Sequence, residues 1–272
     1  MIYFRTIFSS PNEIKYLKLN LKESFDYIDR FIVCEYNRTH VGTERELIFE
    51  NYRGQFTEDE NKKILYIGAD ISALVVDGRK DSALAHQNEL IMRGYFASQI
   101  NLNCKDIVFS VDADEIIFKQ YYEPIIDRLE NTYWPFSKSL KLPMHQFFYR
   151  VNYLWEDFMF THAVACKAIA FKNYPSQWRD MGKEYSEIVG CHLSWCLSID
   201  EMIQKLGMYA HHHEYAHLAK REMLEDAVKN KKYPFEPTRD FRIRVLDINN
   251  DRSFYPASIY GMLNEFEMLI GE

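Results

Sequence analysis

The sequence of 272 residues predicts an α/β fold, in which a mainly parallel central sheet is followed by a smaller antiparallel region. The first observation is a nearly continuous apolar run, Ile107–Val111, which is typical of a strand buried on both faces of a parallel sheet. The second is a regular alternation of strand and helix patterns before that run. The third is a change after residues 124–130, where longer strand patterns follow one another across a tight turn.

The chain opens with a β-α-β pattern. Residues 1–8 predict a first strand. Ser10 is a helix N-cap, Pro11 suits the first helical position, and Glu13 completes a capping box, so a helix with one apolar stripe begins here. Residues 30–36 predict the second strand. Because crossover connections are right-handed, the first two strands are expected to be parallel neighbours.

The alternation continues as far as the apolar run. Residues 37–56 predict a loop with a short helix, and Ile64–Ile67 predict a third strand. A long helix is expected over Asp81–Ile100, directly before the apolar run. Residues 1–118 therefore predict a Rossmann-like nucleotide-binding half.

The rest of the chain is expected to complete one domain, residues 1–272, because no repeat or Gly/Ser-rich boundary interrupts it. Residues 119–215 form the second half, and residues 216–272 are expected to form a C-terminal helical extension. The predicted elements are a helix over 124–130, strands over 140–154, 160–171 and 188–196, and helices over 202–211 and 217–228.

Composition excludes several classes of protein. The net charge of −7 and the isoelectric point near 5.8 give no basic footprint for nucleic acid. No segment has the run of about 18 apolar residues that a transmembrane helix needs, and the start lacks the pattern of a signal peptide. The five cysteines are scattered, which predicts no disulfide framework. We therefore expect a cytoplasmic protein that binds no nucleic acid.

Two carboxylates follow the apolar run at a spacing of two. Asp112 and Asp114 are expected at the carboxyl end of a parallel strand, where α/β sheets bind ligands. Alternate residues of an extended chain point to one side, so both carboxylates can address one Mg²⁺ or Mn²⁺ ion. Such an ion usually also holds substrate phosphates. An isolated Asp-x-Asp is more often a loop or a cap, but its position after a buried strand favours a metal site that holds a diphosphate.

A second candidate metal ligand lies in residues 188–196. The alternation there places His192 on the more polar face, beside Gly190, which permits close approach. A neutral imidazole could be a third ligand of Mn²⁺, and an ordinary hydrogen-bonded histidine is the alternative. Zinc is disfavoured because Cys191 and Cys196 lie on opposite faces of the strand.

Several segments together resemble glycosyltransferase family 17, the β-1,4-mannosyl-glycoprotein β-1,4-N-acetylglucosaminyltransferases. The matching segments, in the order of the family, are Val33–Gly42, Leu47–Phe56, Gln87–Gly94, Asp112–Ile116, Gly190–Cys196 and Lys205–Leu206. The chain departs from the family pattern where Tyr36 replaces a serine and Cys191 replaces a tryptophan.

The resemblance implies a GT-A-type fold, with a nucleotide-binding half and an acceptor-side half. It implies a UDP-GlcNAc donor, a Mn²⁺ (or Mg²⁺) ion, a glycan acceptor and inversion at the anomeric carbon. The positions implied for the donor are Ser9, Asn12, Glu35, Asn37, Gln87, Asn88, Arg93 and Asp112. A structural ion pair is the alternative role of Arg93. The segment expected to face the sugar or the acceptor contains Phe147, Phe148, Tyr149 and Asn152.

The expected chemistry is a single displacement that an ion held by Asp112, Asp114 and His192 assists. A carboxylate takes the proton of the acceptor hydroxyl. Glu187 is favoured because it lies just before the strand of His192, and the other candidates are Glu115, Asp180 and Glu184. Anchoring of its loop is the alternative role of Glu115.

Two other functions remain open at this point. The first is a nucleotidyl-transferring or other phosphate-transferring enzyme with the same Asp pair. The second is a catalytically silent module that binds carbohydrate or nucleotide. The sequence leaves the oligomeric state open.

Overall fold

The computed structural model describes residues 1–132, 139–173, 182–236 and 238–271. The first half contains, in chain order, β1 (Ile2–Ile7), α1 (Ile14–Ser24), β2 (Arg30–Tyr36), α2 (Glu58–Lys63), β3 (Ile64–Ala69), α3 (Ser82–Gln99) and β4 (Ile107–Ser110). These elements confirm the predicted alternation of strands and helices. A turn of 3-10 helix at Pro11–Glu13 precedes α1, and the side chain of Ser10 caps that turn, as the sequence predicts. The predicted capping box is corrected, because the Glu13 carboxylate accepts the N–H of Ser9 and not that of Ser10.

The second half contains β5 (Glu115–Ile117), α4 (Tyr122–Asn131), β6 (Ser139–Phe147), β7 (Tyr153–Lys167), α5 (Ala168–Asn173), β8 (Lys183–Glu184) and β9 (Gly190–His192). Then follow α6 (Ile199–Leu206), α7 (His212–Tyr215), α8 (Arg221–Lys229), β10 (Ile243–Val245) and α9 (Leu263–Phe266).

The strands form one mixed sheet whose main path is β3-β2-β1-β4-β7-β6-β9-β5. The block β3-β2-β1-β4 is parallel, with Phe4 of β1 opposite Phe31 of β2 and Phe109 of β4. The pairs of β7 with β4, β6 and β10 and of β9 with β5 are antiparallel, whereas β8 and β9 run parallel to β6. The parallel block brings the carboxyl ends of β1, β2 and β4 to one edge, where the ligand site was predicted.

The parallel strands are buried on both faces. Val33 of β2 packs in the same core as Leu17 of α1, on one side of the sheet. Ile32 belongs to the core on the other side, with Met92 of α3. The sheet therefore lies between α1 and α3, and this double burial explains why its strands have continuous apolar runs.

The turn between β6 and β7 differs from the prediction. It lies at residues 148–152, before the position expected from the pattern, and β7 then continues without a break to Lys167. Tyr149 adopts a left-handed backbone (φ 67°), and the Asn152 side chain bonds to Gly271, which fixes the turn from a distant part of the chain. Helix α5 replaces the predicted end of the second strand.

Two other predicted elements are corrected. Residues 188–196 form a strand only over Gly190–His192, since Trp195 takes a left-handed backbone (φ 61°) that a strand cannot contain. The C-terminal extension is not purely helical, because Ile243 of β10 pairs with Trp155 of β7. No helix in the described ranges combines the length and the apolar character that crossing a bilayer requires.

Candidate active site

A cavity of about 590 Å³ lies at the carboxyl ends of β1, β2 and β4. Its size is within the usual range of small-molecule sites. Ser9 follows β1, Arg38 follows β2, and Asp112 and Asp114 follow β4 on its wall. Helix α3 and the segment from His192 to His211 supply other parts of the lining. Elements that are distant in sequence therefore enclose one site around the predicted Asp pair.

Asp114 and His192 meet across two short strands. Glu115 of β5 pairs with His192 of β9, and the N–H of Leu193 donates to the carbonyl of Asp114 at 2.8 Å. The Asp114 Oδ1 and the His192 Nε2 are 3.5 Å apart. The two strongest metal candidates of the sequence are therefore neighbours, although 78 positions separate them in the chain (192 minus 114).

A hydrogen bond fixes the orientation of the His192 ring. Its Nδ1 lies 2.8 Å from the Oε1 of Gln146. The amide of Gln146 is itself oriented, since its Nε2 donates to the carbonyl of Phe147 at 2.7 Å. His192 therefore donates from Nδ1–H, and in the neutral imidazole the lone pair of Nε2 faces Asp114. Metal-binding histidines have such a partner on the second nitrogen.

Lys205 and His192 flank the Asp114 carboxylate. The Lys205 Nζ lies 3.4 Å from Oδ2, on the opposite oxygen from His192. Burial alone would raise the pKa of Asp114, but the charge of Lys205, with a further contribution from the neighbouring His192, outweighs burial and holds the pKa well below its ordinary value. Asp114 is therefore ionised at neutral pH. Lys205 lies in the last turn of helix α6, and a capping box of Ser198 and Glu201 fixes the start of that helix.

Asp112 has a different partner. Arg93 Nη1 and Nη2 donate to its Oδ1 and Oδ2 at 2.5 and 2.7 Å, and Nη2 also bonds Glu89 of the same helix at 2.7 Å. Among the residues described, no three His, Cys, Asp or Glu side chains come together as a metal cluster. Of the three predicted metal ligands, two lie side by side, Asp114 and His192, while Asp112 is paired with Arg93. The ion-pair alternative for Arg93 is present in the structure.

The candidates for the proton acceptor are not brought together. Glu187 is exposed, lies outside the cavity lining, and contacts the Tyr121 hydroxyl at 3.5 Å. Glu115 is fully buried and accepts the N–H of Asp112 at 2.7 Å, which is the loop-anchoring role. Glu184 is exposed, and Asp180 lies outside the described residues. Of the described candidates, Glu115 lines the cavity, and Glu184 and Glu187 do not.

The implied donor-binding positions divide into two groups. Four line the cavity, namely Ser9, Asn12, Arg93 and Asp112. The other four, Glu35, Asn37, Gln87 and Asn88, are absent from its lining. Gln87 is exposed on α3.

Three of the second group support loops at the cavity. Buried Glu35 accepts from Arg45 at 2.8 Å and from two backbone N–H groups of residues 48–49. The Asn88 amide donates to the carbonyl of His40 at 2.8 Å and also bonds the backbone of Val76. Asn37 bonds Asp70, Ser72 and the N–H of Ile71. Because Arg45 and His40 line the cavity, these side chains act on the site through the loops.

The family model of glycosyltransferase family 17 matches residues 2–232, which include every described residue of the cavity lining. The chain belongs to glycosyltransferase family 17. No curated protein sequence matches it. Family membership makes the protein a glycosyltransferase, which implies a sugar donor and an acceptor.

The glycosyltransferase cavity contains an acidic group that sequence analysis did not single out. Glu13 lines the cavity, and its Oε2 accepts the N–H of Ser9 at 2.6 Å. Burial, followed by the negative charge of Asp114, raises its pKa to about 7, although the Ser9 N–H opposes the shift. In the sequence Glu13 has an ordinary explanation as part of a helix start, so no signal distinguished it.

The aromatic segment predicted to face the sugar lies elsewhere. Phe147, Phe148, Tyr149 and Asn152 are all buried and absent from the cavity lining. Phe148 packs against Trp155 and Trp195 in a cluster beneath the cavity. Of these aromatic neighbours, Trp195 lines the glycosyltransferase cavity.

Imidazoles form another part of the wall. His40, His86 and His211 line the cavity, and the rings of His86 and His211 are 4.5 Å apart. Burial lowers the pKa of His40, so this ring is neutral at physiological pH and can accept or donate one hydrogen bond. Together with Arg38, these side chains can bind a polar or anionic part of a ligand.

Proposed function

We propose that the protein is a metal-dependent inverting glycosyltransferase of the GT-A type, which transfers GlcNAc from UDP-GlcNAc to a hydroxyl group of a glycan. Family membership supports the reaction class. The parallel order β3-β2-β1-β4, with the Asp pair directly after β4, supports a nucleotide site at this edge of the sheet. The pairing of Asp114 with His192 carries the metal assignment.

The Asp114–His192 pair fits a divalent cation. With the Nδ1 proton of His192 committed to Gln146, a neutral ring presents a lone pair to an ionised carboxylate at 3.5 Å. Two acceptors at this distance repel each other unless a proton or a cation lies between them. Mg²⁺ and Mn²⁺ commonly take few protein ligands and complete their coordination with substrate phosphates and water. A Mn²⁺ or Mg²⁺ ion here would supply positive charge to the diphosphate.

The chain also supplies its own positive charge for the leaving group. Lys205 lies 3.4 Å from Asp114 and lines the same cavity. Its ammonium group can exchange the carboxylate for a phosphate oxygen with a small movement of a flexible side chain. Such a positive charge stabilises a departing diphosphate more than the bound donor, which lowers the barrier.

Arg93 and the turn after β4 hold the acidic segment in place. The bidentate pair with Arg93 fixes the Asp112 carboxylate, and Glu115 fixes the Asp112 N–H. Asn20 donates to the carbonyl of Ala113 at 2.8 Å. The backbone that carries Asp114 is thereby anchored at consecutive residues, so the catalytic geometry is set before substrate binds.

The position of Glu13 in the cavity wall and its raised pKa together favour it as the proton acceptor. A general base works best with a pKa close to the working pH. Cationic neighbours outweigh burial and hold the pKa of Asp114 and Glu89 low, Glu89 at about 2. Glu13 lines the same cavity with a pKa of about 7. We therefore propose that Glu13, and not Glu187, takes the proton from the acceptor hydroxyl.

The test is release of UDP from UDP-GlcNAc, with and without Mn²⁺, for the wild type and Asp114→Asn. We expect turnover that EDTA abolishes and that the substitution reduces by about a hundredfold or more. Glu187→Gln, outside the cavity, is the matched carboxylate control. Release of pyrophosphate in place of UDP would indicate nucleotidyl transfer. Hydrolysis and UDP binding that survive both EDTA and Asp114→Asn would refute the metal assignment.

A further inference from the structure

Trp195 has an unusual backbone for its size. Its φ angle is 61°, in the left-handed region, where bulky residues are genuine outliers. The conformation is built into the chain, since the Trp195 carbonyl accepts the N–H of Leu197 at 2.8 Å and the next residue, Cys196, donates to Leu193 at 3.2 Å. Strained conformations of this kind concentrate at functional sites.

The strained backbone places the indole ring in the cavity wall. Trp195 lines the cavity although its side chain is largely buried, and aromatic rings pack around the indole. Phe148 stacks on it with ring centres 6.2 Å apart, and Phe235 and Tyr209 approach it at 4.9 and 5.7 Å. Such packing holds the indole plane rigid, which reduces the entropy cost of binding a ligand against it.

Lys205 connects the indole to the diphosphate site. Its Nζ lies 5.2 Å from the centre of the Trp195 ring and, at the same time, 3.4 Å from Asp114 Oδ2. One ammonium group thus bridges the aromatic face and the metal-site carboxylate. In the proposed donor complex the transferred sugar is bonded directly to the diphosphate, so we expect its ring near the same carboxylate.

We propose that Trp195 forms the subsite for the transferred sugar, an inference that rests on the proposed function. The apolar C–H face of the pyranose stacks on the indole, in the position that the Lys205 ammonium occupies over the ring. The ammonium group turns from the ring to the diphosphate, so the sugar and the leaving group use the two positions that Lys205 bridges. The aromatic face supplies apolar contact, and the charge recognises the phosphate.

The experiment compares UDP and UDP-GlcNAc binding by titration calorimetry in the presence of Mn²⁺. The variants are Trp195→Leu, Trp195→Tyr and the control Trp155→Leu, a tryptophan of the same aromatic cluster that does not line the cavity. Thermal unfolding establishes that each variant is folded. Trp195→Tyr keeps an aromatic face and is the safer substitution for the fold.

We expect Trp195→Leu to weaken UDP-GlcNAc binding about tenfold, since an aromatic stacking contact contributes about 1.4 kcal/mol. UDP binding is expected to stay unchanged, since UDP lacks the transferred GlcNAc. Trp195→Tyr retains most of the affinity for UDP-GlcNAc, and Trp155→Leu retains the wild-type ratio of the two affinities. Lys205→Gln weakens UDP and UDP-GlcNAc by the same factor.

Three results would overturn the inference. A UDP-GlcNAc affinity that stays at the wild-type value in Trp195→Leu, even with reduced transfer to an acceptor, would exclude contact with the transferred sugar. An equal loss of UDP and UDP-GlcNAc affinity would make Trp195 a structural residue. Failure of the wild type to bind either compound would refute the proposed function itself, and this outcome is visible before any variant is compared.

Discussion

The buried carboxyl group of Glu13 is expected to lower the unfolding free energy of the protein at neutral pH. Its pKa of about 7 lies above the ordinary carboxyl value of 4.5, mainly because burial disfavours the charged form. The folded protein therefore keeps a proton that the unfolded chain releases as the pH rises through this window. The unfolding free energy contributed by Glu13 falls as pH rises from 4.5 to about 7 and stays low above it.

The size of the effect follows from the two pKa values. The difference between about 7 and 4.5 corresponds to at most about 3 kcal/mol of unfolding free energy. Glu13→Gln removes the buried charge while it keeps an oxygen that can accept the N–H of Ser9. We expect this variant to be more stable than the wild type at about pH 8, by up to about 3 kcal/mol, and equally stable at about pH 4.5.

The assay is urea unfolding in the presence of EDTA, at several pH values, for the wild type, Glu13→Gln and the exposed control Glu187→Gln. Transfer is measured in parallel with Mn²⁺. Because a group with a pKa of about 7 is roughly one-tenth ionised at about pH 6, kcat of the wild type is expected to rise about tenfold between about pH 6 and about pH 8. Glu13→Gln binds UDP normally but loses this pH-dependent turnover.

Two results would refute this reasoning. A variant Glu13→Gln that keeps the wild-type rate and pH profile would exclude Glu13 as the proton acceptor. Parallel stability curves for Glu13→Gln and the wild type across the pH range would show that the carboxyl group is not buried at a raised pKa.

Three further predictions follow from the contacts around the cavity. Glu187→Gln keeps wild-type kcat and KM, because its carboxylate is exposed outside the cavity; a large loss of kcat would restore it as the base. Arg93→Met leaves Asp112 and Glu89 without their cation and is expected to lower the unfolding free energy by about 3 kcal/mol, measured by urea unfolding at about pH 7. An unchanged unfolding free energy would contradict a stabilising role of these buried ion pairs. Asn88→Ala removes the hydrogen-bond partner of two carbonyls and one N–H. It is expected to lower the unfolding free energy by about 2 kcal/mol and to raise the KM for UDP-GlcNAc. An unchanged melting temperature would show that the His40 loop does not need the Asn88 side chain.

The first half of the fold was predictable because its signals are local. The apolar run of β4 and the cap at Ser10 report on burial and on helix starts through neighbouring residues alone. The turn at 148–152 was not, since Asn152 and Tyr149 are fixed by Gly271 and Lys232, more than 80 positions away. A sequence pattern contains no information about such partners until the chain is folded.

The candidate site likewise contains residues that the sequence could identify and residues whose role became visible only in the folded chain. Asp114 and His192 could be singled out, because their residue types and strand positions favour a metal, and the structure places them side by side. Glu35 and Asn88 lie in segments that resemble the family, yet both support loops. Sequence likeness identifies the positions that a family uses, but the difference between touching a ligand and holding a loop depends on which way a side chain points.

The central claim is that Asp114 and His192 hold a divalent cation, and Mn²⁺ binding measured by electron paramagnetic resonance in the presence of UDP tests it most directly. We expect one Mn²⁺ per chain, with an affinity that His192→Ala and Asp114→Asn each reduce by tenfold or more. The control is His145 of β6, which precedes Gln146, lies opposite Cys191 of β9 and is outside the cavity lining. His145→Ala is expected to bind Mn²⁺ as the wild type does. Equal Mn²⁺ affinity in the wild type, His192→Ala and Asp114→Asn would contradict the account.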